Sequence, residues 1–142
     1  MAWQTSALVI ANRTADSDQL LEALEKRARG GPVKFTLLVP CGPSGRDGAR
    51  GRLESAVARM RKAGLEVEGD LGRDSDPLAA AHQAWDPAKY DEIVVCTLPT
   101  GVSKWLQVDL PHRVAKLTDA PVTHVVAHEK NPAAADPAEA GS

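Results

Sequence analysis

The sequence predicts an α/β domain built as a doubly wound parallel sheet, and three observations predict it. Five short apolar runs recur along the chain: Leu8 to Ala11, Val33 to Val39, Leu65 to Val67, Ile93 to Cys96 and Val122 to Val126. Segments of helical period separate them, so successive strands cannot pair as hairpins and must be joined by right-handed crossovers. The continuous apolar stretch Ile93-Val94-Val95 reads as a central strand covered on both faces.

The first helix follows Leu8 to Ala11, with Leu20, Leu21, Leu24 and Ala28 on one face. Asp16 is its expected N-cap, Gln19 the reciprocal capping residue, and Gly30-Gly31-Pro32 its stop. In the second helix Leu53, Ala56, Val57 and Met60 fall on one stripe, ending at Gly64. The segment before it, Cys41 to Arg52, spaces glycines three apart beside three arginines. It lacks the Gly-Lys-Ser/Thr of a Walker loop and is expected to be a surface loop. The third helix takes Asp76 as cap and Pro77 at its first position, with Leu78, Ala81, His82 and Trp85 inward, and Asp86-Pro87 ends it. A fourth starts near Asp109 and is expected to bury Leu110, Val114 and Leu117. Val9, Leu37, Val94 and Val125 are expected core residues. Residues 1–127 form the domain, and 128–142, with no apolar residue larger than Ala, are expected to be a disordered tail.

Composition narrows the function. The 142 residues are 43% hydrophobic and 25% charged, with a net charge of −2 and arginines interleaved with acids, which supplies no basic stripe for nucleic acid. No apolar run approaches the ~20 residues of a membrane helix. The N-terminus shows no secretion signal, so a cytoplasmic location is expected. Cys41 and Cys96 are too few for a disulfide framework or a four-thiolate zinc site. Separated by the first strand, about 9.6 Å apart, they read as small hydrophobes at strand ends. A reactive thiol there needs a cation such as Arg13 or Lys104. The four histidines do not cluster: His82 reads as a buried imidazole and His112 as a contact of Asp109, while His124 lies within the last strand. Without a Gly-x-Ser-x-Gly elbow or a metal-ligand pair, catalysis has no support in the sequence.

In a doubly wound sheet, ligands collect beyond the carboxyl ends of the strands where the winding reverses. Three segments end there: Ala11-Asn12-Arg13-Thr14, Val39-Pro40-Cys41-Gly42, and Thr97 to Lys104. At these residues the sequence resembles the universal stress protein family over roughly residues 5 to 127. Ala7 to Thr14 looks like that family's opening strand and turn, with Asn12 at its acidic position. Gly72-Arg73-Asp74 before Pro77 is similar to its glycine-led third turn, Tyr90 to Val95 to its fourth strand, and Ala120 to Val126 to its last. The resemblance implies strand order 3-2-1-4-5 and a homodimer through the last strand, Val122 to Val126.

The family's nucleotide loop, Gly-x-x-Gly, nine residues, then Gly-Ser or Gly-Thr, serves a physical need. Glycines let the backbone approach phosphate, and the last pair opens a helix with free N–H groups. Here, anchoring on Arg113-Val114 puts Leu98 at a glycine position and Val108-Asp109 at the final pair. Anchoring on Gly101 puts Leu98 and Pro111-His112 there instead. Asp109 is expected to plug the helix amides with its own carboxylate. The resemblance therefore implies a binding or regulatory protein that binds ATP weakly or not at all. The alternative is a nucleotide or small anion held in the crevice through Asn12, Thr97, Gly101, Ser103 and Lys104, with Arg13, Cys41 and Asp109 as further candidate residues of the same site. An enzyme of the wider nucleotide-hydrolysing α/β group needs a phosphate loop this chain does not show.

Overall fold

A computed structural model describes residues 5–11, 14–40, 45–72, 76–97 and 109–127. The strands are β1 (Thr5–Ile10), β2 (Val33–Val39), β3 (Val67–Leu71), β4 (Glu92–Thr97) and β5 (Val122–Val126). The described helices are α1 (Asp18–Arg29), α2 (Gly45–Lys62), α3 (Pro77–Ala84) and α4 (Leu110–Thr118). All adjacent strands pair in parallel in the order β3-β2-β1-β4-β5. This is the expected doubly wound sheet.

Alternation along the strands divides the core in two. Ala7, Val9, Phe35, Leu37 and Val94 face α1 and α2, against Leu24, Leu53 and Met60. Leu8, Ile10, Leu38, Ile93 and Val95 face α3 and α4, against Ala81, Leu110 and Val114. Val9, Leu37 and Val94 are buried as expected. Val125 is only partly buried, because its strand is an edge with a neighbour on one side.

Several local expectations are corrected. Helix α1 is capped by Ser17, whose Oγ accepts from Leu20 N at 3.2 Å, and not by Asp16. Asp16 is drawn instead to Arg59. The stretch from Gly45 to Arg52 is helix, not loop. Ala49 is buried four residues before Leu53 and extends the inward stripe of α2 by a turn. That tertiary contact works against the helix cost of the glycines around it, ~1 kcal/mol each. Strand β3 starts at Val67, where Leu65 to Val67 was expected. Leu65 closes the end of α2 by donating its N–H to Met60 O, after Gly64 turns the chain at φ 95°. As an edge, β3 buries one face and carries Glu68 and Asp70 on the other, which hides its apolar pattern. His82 is exposed, one helical step beyond the buried Ala81. Trp85 terminates α3 and stacks on Tyr90 at 6.0 Å. Leu117 is exposed, since α4 packs between α3 and the edge strand and its last turn passes the edge of the core.

Candidate functional site

The crevice lies where β1 and β4 send their chains to opposite faces of the sheet. The turn after β1 is held in place from several sides. Ala11 N–H donates to Leu38 O at 3.2 Å, and Ser17 N–H donates to Thr14 O at 3.0 Å. The buried Thr14 hydroxyl donates to Cys96 O at 3.1 Å, bridging the two strand ends across the winding reversal. From α2, Arg59 Nη1 donates to Asp16 O at 2.7 Å and meets Asp16 Oδ1 at 3.3 Å, while Nη2 engages Asp18. These carboxylates raise the Arg59 pKa above its already high ordinary value, so the clamp stays charged.

Thr97, the last residue of β4, is buried. Its Oγ1 lies 2.7 Å from His124 Nε2, and its carbonyl accepts from Ala127 N–H at 2.8 Å. Although His124 is exposed as a whole, partial desolvation of its ring lowers its pKa from the ordinary 6.5. Burial also pushes the Cys96 thiol up, against opposing hydrogen bonds from Thr14 and Ser17. Cys96 is thus the small buried hydrophobe expected, with its proton retained.

Of the expected site residues, Thr97 and Asp109 are described. Asn12, Arg13, Cys41, Gly101, Ser103 and Lys104 lie outside the described residues, as do the segment 128–142 and the Cys41–Cys96 separation. Asp109 overturns one expectation. It is exposed and stands before α4 at φ 54°, and its carboxylate caps no amide of that helix. Its left-handed backbone turns the side chain away from the geometry an N-cap requires, which is extended. The cap that would have plugged the α4 amides is therefore not made, while the Asp109 carbonyl accepts from Arg113 N–H at 3.0 Å.

His124 and Thr14 were not among the expected site residues. A strand-end rule finds Thr97, but His124 reaches it only through the parallel register, which sets His124 beside Val95. A second cleft of about 340 Å³ lies away from Thr97, at the ends of β2 and β3, lined by Leu38, Asp70, Gly72, Ala80 and Gln83 among others. No metal-ligand cluster is found among the described residues, and no described helix is long and apolar enough to cross a membrane.

No protein-family model and no curated protein matches the chain in sequence. Solved structures do match it. A universal stress protein from Archaeoglobus fulgidus in complex with dAMP aligns with a TM-score of 0.62 at 17% identity, covering 88% of this chain and 99% of that one. A universal stress protein in complex with cAMP aligns at 0.56 and 20% identity, covering 89% and 99%. A further structure of universal stress protein from Archaeoglobus fulgidus aligns at 0.58 and 21%, covering 87% and 98%. The chain has, over nearly its whole length, the fold of the universal stress proteins.

Proposed function

We propose that the protein is a universal-stress-type binding and regulatory module whose ligand is a nucleotide with a short phosphate chain or a similar small anion. It would sit at the carboxyl ends of β1 and β4, and the protein would work in the cytoplasm as a homodimer paired through β5. The observation that carries this reading is the winding reversal at the ends of β1 and β4, where the Thr14 hydroxyl bridges to Cys96 O and Thr97 is buried, on a fold whose solved counterparts include complexes with dAMP and cAMP. The Asp109 carboxylate caps no amide of α4, so it does not compete with an anion for them. The missing glycines at Leu98 and in the terminal pair argue against a cradle for three phosphates. In sequence, Asn12 and Arg13 follow β1, Cys41 follows β2, and Gly101, Ser103 and Lys104 follow β4; of these, Asn12, Arg13, Ser103 and Lys104 are the polar and cationic residue types such a ligand needs. Calorimetric titration with AMP, cAMP and magnesium ATP tests it. Binding of a monophosphate, with ATP no tighter, is the expected result; ATP binding at least tenfold tighter than AMP would overturn it.

A further inference from the structure

His124 and Thr97 form a proton-bearing pair at the crevice. Residues two apart on a strand share a face, and His124 pairs in register with Val95, so its ring reaches along that face to Thr97 Oγ1. A hydroxyl has one proton and two lone pairs, and a neutral imidazole has one donor nitrogen and one acceptor. If Nε2 is bare, Thr97 spends its proton on His124 and shows the crevice only lone pairs. If Nε2 carries a proton, it donates to Thr97, whose own proton is then free to turn toward a ligand. An imidazolium must take the second arrangement, and it adds a positive charge one hydroxyl away.

We propose that His124 is a positioning residue for the crevice: when protonated it turns the Thr97 hydroxyl into a donor toward a bound phosphate and places a positive charge behind it. The inference rests on the nucleotide reading above and adds its regulation by pH. The titratable groups on elements packed against β5 are His112, Arg113 and Lys116 of α4, Glu92 at the far end of β4 and Cys96 on its opposite face, and Asp18, Glu22, Glu25, Lys26, Arg27 and Arg29 of α1. Glu92 is held by Arg27 at 2.7 Å. Partial desolvation, rather than any of these charges, pushes the His124 pKa down. A bound anion would offset that cost, and by linkage its affinity must rise as pH falls.

The probes are cAMP, whose phosphodiester keeps one charge across this range, and adenosine, which carries none. Full-length protein is titrated with each at about pH 5.5 and about pH 8, where an unperturbed histidine changes charge. A rise of one pKa unit on binding corresponds to at most about tenfold tighter cAMP at the lower pH. Adenosine should bind equally at both. NMR titration of the His124 imidazole should show its pKa rising when cAMP saturates the protein, a change that a purely structural histidine would not undergo. Both His124→Gln and the near-isosteric Thr97→Val should abolish the pH dependence of cAMP binding, two separate routes should one variant fold poorly. Failure of cAMP to bind at either pH overturns the nucleotide reading and this inference together. Equal pH responses of cAMP and adenosine, or a cAMP response that survives in a folded variant, overturn the inference and leave the nucleotide reading standing.

Discussion

Asp109 shows how one dihedral changes a functional argument. Its position before a helix reads as a cap that would compete with phosphate, yet at φ 54° its carboxylate reaches no helix amide and is exposed. An exposed charge is worth up to ~1 kcal/mol, or about fivefold in affinity. Asp109→Ser should therefore change magnesium ATP binding by less than about fivefold in calorimetry. A large gain would restore the plug. Cys96 gives a second residue-scale test. Its thiol is raised above the ordinary 9.0 by burial, so the folded state keeps a proton that the unfolded chain loses in alkali. The stability linked to this group is full below pH 9.0 and declines as pH rises through that value toward the folded pKa. In a Cys41→Ser background, a thiol reagent at neutral pH should label Cys96 only at the rate of global unfolding. Fast labelling of the native protein would show that the thiol is accessible.

The elements are held by burial far more than by their ion pairs. Arg27 reaches from α1 to Glu92 at the start of β4 at 2.7 Å, but the two side chains are 33% and 25% exposed. Three residues earlier, Leu24 is buried in the larger core. Leu24→Ala should cost ~2–5 kcal/mol in denaturant unfolding, whereas Arg27→Ala should cost under ~1 kcal/mol. Reversal of that order would mean that the bridge, not the core, fastens α1. The same contrast explains what was legible in the sequence. Helix and strand alternation was readable because burial writes periodicity into Leu20 and Leu24, or Ile93 to Val95. The start of α2 was not, because three glycines mask a turn that Ala49 secures only through tertiary packing. Strand β3 was misplaced because Glu68 and Asp70 face solvent. Thr97 was readable as a strand end, while its partner His124 required a register between strands 27 residues apart.

At the scale of the whole molecule, the two edges of the sheet are finished differently. Strand β3 carries Glu68 and Asp70, with Lys34 bridging Glu68 at 3.0 Å from β2, and charges on an edge oppose pairing with another sheet. Strand β5 reads Val-Thr-His-Val-Val and has no acidic, Lys or Arg residue. Val126 on β5 and Leu117 on the adjacent α4 are large hydrophobics left 44% and 41% exposed. An uncharged edge beside exposed apolar side chains is a liability unless it is paired or covered. Two copies related by a two-fold axis can pair β5 antiparallel with β5, satisfying the outward backbone groups of both and burying Val126 without leaving a new open edge there. The prediction is a dimer of about 30 kDa, twice the 15.1 kDa chain, in light scattering at about 10 μM. Val126→Lys should shift it to the monomer, because the substitution puts a charge at the seam on a side chain that is already exposed and leaves the core intact. A wild-type mass near 15.1 kDa would overturn the proposed pairing. A Val126→Lys variant that stays dimeric would move the seam away from β5.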